Sequence, residues 1–188
     1  MKAILEAKEF KRIIDNTKRF ASEFNGIHLM DWIHLVIDAE KKMIRAEAID
    51  GYRISVEYAR LQDADMSFSC FIRSNIPIIT KNDSYAELSL QENKLYVTVS
   101  DNIMGYIQPQ GEFYKVDDYI EKYSRKSDKR FAINAKMLAE AMESIKAIDG
   151  EKIAIIDVYD RCEPIVIRSG RDGENIKLIL PIKTREME

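Results

Sequence analysis

Two histidines, His28 and His34, and two cysteines, Cys70 and Cys162, are the side chains best suited to metal ligation or nucleophilic attack. The histidines do not form a metal-spaced pair, and no cysteine or carboxylate cluster stands beside them at ligand spacing. Two cysteines so far apart make no disulfide scaffold and read as buried thiols of a cytosolic protein. Serines are scattered without an adjacent candidate base. The sequence holds no GxGxxG, no GxxxxGK followed by Ser or Thr, and no GxSxG. With 32% charged residues, carboxylate pairs such as Asp117-Asp118 read as solvated surface rather than as an acid–base pair. The expectation is a protein that is not an enzyme and carries no metal or cofactor.

Charge points elsewhere. The 29 basic and 32 acidic residues leave a net charge of −3, which excludes a wholly basic nucleic-acid binder but permits a local basic face. Residues 8 to 24 are amphipathic at helical period, with Phe10, Ile13, Ile14, Phe20, Ala21 and Phe24 on one side. Lys8, Lys11, Arg12, Lys18 and Arg19 share the opposite side, with Asp15 among them. Such a face is either an ordinary solvated helix surface or one that meets a phosphate backbone without reading bases.

The elements that would carry this helix repeat along the chain. With 188 residues, 46% of them hydrophobic, there is enough material for one ordinary domain or two small ones with a real core. No apolar run approaches a membrane span, and Met1-Lys2-Ala3 leads straight into a strand-like segment, so neither a membrane anchor nor a signal peptide is expected. Ile4 to Phe10 opens a strand-to-helix passage, and Ala132 to Leu138 opens another, with Ala7 and Lys8 falling on Ala135 and Lys136. Strand-like runs follow each: Trp32–Ala39, Met43–Ile49 and Tyr52–Ala59 after the first, Lys152–Tyr159, Pro164–Ser169 and Ile176–Pro181 after the second. A weaker copy lies between, with a strand at Met66–Arg73, a helix capped by Ser74 and running to about Lys81, and strands from Tyr85, Leu95 and Met104. Lys122–Lys129 has no apolar periodicity and reads as a linker. The chain thus divides into three βαβββ units. One such unit cannot bury both its sheet and its helix, so two side by side, with helices on one face of antiparallel sheets, are expected to form an α+β domain.

Three segments carry a family resemblance. Ala46-Glu-Ala-Ile-Asp-Gly-Tyr-Arg-Ile-Ser55 resembles the ATDG-(H/Y)-RL segment of the bacterial DNA polymerase III β subunit, the sliding clamp. Gly111 to Ile120 resembles the segment joining that protein's second and third domains, although Tyr114 and Glu121 stand where prolines are usual. Phe131 to Met142, Glu163-Pro-Ile-Val-Ile and Leu178-Ile-Leu-Pro-Ile182 are similar to the clamp's closing half-domain. The resemblance implies a DNA-clamp fold of repeated βαβββ half-domains. Residues 1–122 would be a clamp-type domain of two halves and 127–188 a third half-domain like the C-terminal half of the last clamp domain. A clamp subunit has six half-units and a closed ring needs roughly twelve, so four copies of this chain would supply that number.

The resemblance further implies a cytoplasmic DNA polymerase processivity factor that encircles double-stranded DNA and acts as a homo-oligomer. The basic face at Lys8, Lys11, Arg12, Lys18 and Arg19 would line the hole. A hydrophobic pocket for the short binding motifs of polymerases and other partners would fall on Gly51, Tyr52, Arg53 and Ile54, with Trp32 as a wall, and on Leu178, Ile179, Leu180, Pro181 and Ile182. Each also has a plain structural explanation: Asp50-Gly51 is a good hairpin turn, Ile54 and Leu180 alternate as core residues do, and Trp32 suits a core. The competing function is a clamp-derived adaptor or decoy that binds clamp partners without encircling DNA.

Overall fold

The computed structural model describes residues 1–22, 29–123, 131–146, 152–160, 162–169 and 175–182, in two compact units, Met1–Tyr123 and Ser124–Glu188. In the first, apolar–polar alternation marks most of the strands. Lys2–Glu6 (β1) turns Ala3 and Leu5 inward and runs directly into the helix Ala7–Thr17 (α1), followed by a 3-10 turn at Lys18–Phe20. The helix start lacks a side-chain cap; instead the Ala7 amide donates to the Ser84 carbonyl at 3.0 Å. Three further strands follow, Ile33–Asp38 (β2), Met43–Ile49 (β3) and Ile54–Ala64 (β4), then four more, Phe68–Ile72 (β5), Tyr85–Gln91 (β6), Lys94–Val99 (β7) and Asn102–Ile107 (β8).

All eight form one antiparallel sheet in the order β5-β2-β3-β4-β1-β6-β7-β8. β1 lies between the two halves, pairing Ala3 with Ala64 of β4 on one side and with Leu88 of β6 on the other. The sheet's two outermost strands are bridged by one side chain. Gln108 accepts from the Phe71 amide at 2.7 Å through Oε1 and donates to the Phe71 carbonyl at 3.1 Å through Nε2. Phe10, Ile13 and Ile14 of α1 are fully buried against inward residues of both halves, among them Leu35, Ile44, Ala46, Leu88 and Val97. A last helix, Val116–Tyr123 (α2), ends the unit.

The second unit has a helix, Ala135–Lys146 (α3), and three antiparallel strands, Ala154–Asp157 (β9), Ile165–Ser169 (β10) and Ile176–Ile179 (β11), in the order β11-β10-β9. Ala141 and Ile145 of α3 pack on Ile165, Ile167 and Ile179. Asn134 caps α3, its Oδ1 accepting from the amides of Lys136 at 2.9 Å and Met137 at 3.2 Å.

The α+β architecture of antiparallel half-units is as the sequence implies, with four local differences. No helix forms from Ser74 to Lys81. Pro77 disfavours helical geometry at Ile76, and Ile76 and Ile79 pack on the core from a segment without regular structure. Asp83 then fixes the turn by accepting from the amide and hydroxyl of Thr80. The first helix ends well before residue 24, since Ala21 is already extended; Phe24 and His28 lie outside the described residues. Residues 122 and 123, expected in a linker, belong to α2. Phe131–Asn134, expected as a strand, has no regular secondary structure, and its Ala132 carbonyl accepts from the Ile182 amide at 2.7 Å.

Because Phe10 is the largest fully buried side chain of α1 and meets both halves of the sheet, Phe10→Ala is expected to cost about 3–5 kcal/mol. Urea unfolding followed by circular dichroism measures it, with a lower midpoint and an unchanged slope.

Candidate partner-binding grooves

The DGYR segment forms a turn built by one carboxylate. Asp50 Oδ1 accepts from the amides of Tyr52 and Arg53, both at 3.1 Å, while Oδ2 receives Arg53 Nε at 2.7 Å. The Arg53 hydrogen bond is the main reason the Asp50 carboxyl is held below its ordinary pKa. Gly51 adopts φ +90°, a conformation that side chains resist. Arg53 also donates to the Arg19 carbonyl at 2.8 Å and lies 4.9 Å from the Phe20 ring centre. The turn is therefore fixed, and it leaves Tyr52 99% exposed.

Beside it runs a groove of about 700 Å³. Gly51, Tyr52, Arg53 and Ile54 form one wall, and Tyr114, Val116, Tyr119, Ile120 and Tyr123 form the other. The second wall belongs to α2 and the residues just before it. Val116 is buried, and the hydroxyls of Tyr114 and Tyr119 lie 2.8 Å apart. The Tyr119 and Tyr123 rings follow at 6.3 Å between centres.

What holds α2 is an ion-pair chain on the sheet. Arg45 donates to both Asp117 oxygens, at 2.6 and 3.0 Å, a bidentate geometry. Arg45 Nε also lies 2.6 Å from Oε1 of the buried Glu47, although the pair is not aligned as a hydrogen bond. The other Glu47 oxygen meets His34 Nδ1 at 3.0 Å, and the His34 ring stacks on Phe71 at 4.8 Å and tilts against Phe113 at 4.9 Å. Arg45 holds Asp117 below its ordinary carboxyl pKa, chiefly by the hydrogen bond, and is itself raised in return.

The remaining expected site residues lie elsewhere. Leu178, Ile179, Leu180, Pro181 and Ile182 line a groove of about 850 Å³ in the second unit, facing Asn134, Met137, Glu140, Ala141 and Ser144 at α3. Trp32 lines neither groove; it packs on the first core with the Arg73 guanidinium 3.9 Å above its ring. Of the basic set, Lys8 pairs with Glu6, Lys11 and Lys18 share Asp15, and Arg12 binds Glu9, Glu57 and the Tyr58 carbonyl. The α2 wall was not singled out as a site by sequence. Its signal was there, in the four-residue spacing of Val116 to Ile120 and Tyr119 to Tyr123 and the acidic first turn.

Chemically the first groove offers apolar and aromatic walls with one guanidinium at its rim, which suits anchoring of short apolar peptide side chains. Among the described residues, no three His, Cys, Asp or Glu side chains gather to hold a metal. No helix among them is long and apolar enough to cross a membrane.

No protein-family model and no curated protein matches the sequence. Its fold, however, is that of solved sliding clamps. The DNA polymerase sliding clamp of Bacillus subtilis aligns with a TM-score of 0.80 and 14% identity over 97% of this chain and 50% of its own. The DNA polymerase III beta chain of Streptococcus pneumoniae aligns with a TM-score of 0.77 and 19% identity over the same shares. The beta subunit of Thermotoga maritima gives 0.74 and 10% over 96% and 50%. The chain is thus a clamp-fold protein that spans about half the length of these structures.

Asp117's lowered pKa means that the stability it contributes is present above the ordinary carboxyl value of 3.8 and is lost as pH falls below it toward the folded value. Amide protection within residues 116–123, measured relative to the intrinsic exchange rate at each pH, is expected to fall over that window, and in Asp117→Asn to be low already at neutral pH. Arg45→Ala is expected to destabilise the whole first unit more than Asp117→Asn does, because it strips buried Glu47 of its cation. Thermal unfolding of the two variants checks the order.

Proposed function

We propose that this chain is a sliding-clamp-type processivity factor, which holds duplex DNA without reading its sequence and tethers a polymerase through a peptide-binding groove. The observation that carries the proposal is the clamp fold over nearly the whole chain. In this proposal Met1–Tyr123 serves as a clamp-type domain and Ser124–Glu188 as a further half-domain, and several copies assemble around DNA. Lys8, Lys11, Arg12, Lys18 and Arg19 meet phosphates. The groove between the Gly51–Ile54 turn and α2 takes the apolar anchors of a clamp-binding motif. The Leu178–Ile182 segment offers a second apolar surface for the same class of partner. The work is tethering, with no bond made or broken.

One observation favours the alternative, an adaptor that binds clamp partners without encircling DNA. Four of the five candidate phosphate-binding cations are already paired with carboxylates of the first unit.

Two measurements separate the proposals. An encircling clamp is retained on nicked circular DNA and lost when that DNA is linearised; equal retention on both removes encirclement. Lys11→Glu with Arg19→Glu is expected to weaken DNA association severalfold at low salt and flatten its salt dependence. Arg12 is left intact in that variant because it joins α1 to β4. Tyr119→Asp is expected to weaken a hydrophobic clamp-binding peptide about tenfold, or ~1.4 kcal/mol. Unchanged affinity, measured by fluorescence anisotropy, assigns the groove no role in tethering.

A further inference from the structure

The first unit displays a rule for completing a half-unit. Its first half is β1-α1-β2-β3-β4 and its second is β5-β6-β7-β8. The opening strand of each half pairs with the first strand of the other half's three-stranded run: β1 with β6, and β5 with β2. β1 also pairs with the last strand of its own half, β4. The exchange puts the helix-side faces of both halves into one core.

The second unit has the same parts as the first half, but not the exchange. Phe131–Asn134 stands where β1 stands, joined to the end of its own run through the Ile182 amide and Ala132 carbonyl. β9 stands where β2 stands, and its outer edge has no strand partner among the described residues.

Burial differs at five of the seven positions buried in β1 and α1, while Ile13 and Thr17 and their counterparts Ala141 and Ile145 are buried alike. Ala3, Leu5, Ala7, Phe10 and Ile14 are fully buried. Their counterparts by the sequence repeat, Phe131, Ile133, Leu138 and Met142, are half-buried, and Ala135 is exposed. Ile156 lies directly across from buried Ile167, hence on the α3 side of the sheet, and remains 47% exposed. What is uncovered is the set of surfaces that the partner half covers in the first unit, together with the outer edge of β9, which has no strand partner among the described residues and is of the kind that recruits another strand.

We propose that the second unit is completed by the second unit of another copy of this chain. Phe131–Asn134 of each copy adds to β9 of the other, about a two-fold axis, and the two α3-side faces close into one core. A second copy fits because the contact exchanges an opening segment for a strand edge, and each unit carries one of both. Such a surface is self-complementary, as an isologous interface requires. The charges on α3 also suit a copy of itself, since Lys136 pairs with Glu140 and Lys146 with Glu143, leaving no net charge among them. The inference rests on strand pairing and burial, not on DNA or peptide binding, so its failure and that of the proposed function are read separately.

The test is the mass of the full-length chain in solution, by sedimentation velocity and light scattering over a hundredfold range of concentration, without DNA or peptide. A dimer, or a multiple of it, is expected. Ile156→Lys is expected to raise the dissociation constant at least tenfold. Ile155→Lys changes the neighbouring residue, equally exposed but on the opposite face, and is expected to change it less than threefold. Far-ultraviolet circular dichroism checks that both variants fold. Should Ile156→Lys not fold, amide exchange at residues 154–157 of the unaltered protein replaces it, with protection expected to rise as concentration rises. A strict monomer throughout, an assembly insensitive to Ile156→Lys, equal sensitivity at both positions, or concentration-independent exchange would each overturn the proposal.

Discussion

The first unit depends on β1 being paired on both sides. Five residues join the four strands on one side, β5-β2-β3-β4, to the three on the other, β6-β7-β8, with β4 along one edge and β6 along the other. The same strand delivers the chain into α1 without a loop, so the position of the helix follows from the register of the strand. Fully buried Ala3, Ala46 and Ala86 leave room at that junction for a helix whose own contribution is large, Phe10, Ile13 and Ile14. Neither half could exclude water from its inner face alone, which is why an alternating pattern on eight short strands yields a single core.

That dependence explains what was legible in the sequence and what was not. Period-two alternation marked the strands most clearly in β1, β2, β6 and β7, where every second residue is buried. The basic helix was legible too, but its end was not: Phe20 and Ala21 continue the apolar stripe while the backbone has already left the helix. The helix expected at Ser74–Lys81 failed because Ile76 and Ile79 find burial in a segment without regular structure, a tertiary reward that local capping signals do not report. At the grooves, the Asp50–Arg53 turn could be read from residues three apart. Its opposing wall could not, since Arg45 and Asp117 are separated by 72 positions and neither is unusual by itself.

The charges on α1 illustrate the same limit with a functional consequence. In sequence, Lys11, Arg12 and Lys18 look equivalent. In the fold they are not. The lysines share Asp15 within one helix end, and exposed pairs of that spacing contribute only about 0.3–0.5 kcal/mol, so a phosphate could replace such a partner at little cost. Arg12 instead reaches Glu9, Glu57 and the Tyr58 carbonyl, joining the helix to β4. Its guanidinium is engaged across two elements of the fold, so it is less free to exchange partners than the two lysines are.

The groove wall is tied to the sheet by a continuous set of contacts. Gln108, just after β8, grips Phe71 of β5; Phe71 stacks on His34 of β2; His34 meets Glu47 of β3. Glu47 faces Arg45, and Arg45 binds Asp117 of α2. Every link but Glu47–Arg45, which lies within β3, joins two elements, and the middle ones are shielded from water, where a charge pair is screened least. The outer link is not shielded, since the Asp117 side chain is 71% exposed. A wall assembled this way is buried at its root and exposed at its tip, where Tyr119 and Tyr123 stand. The two walls therefore differ in how they are held: α2 through side chains from distant parts of the chain, the turn facing it chiefly through its own Asp50 carboxylate.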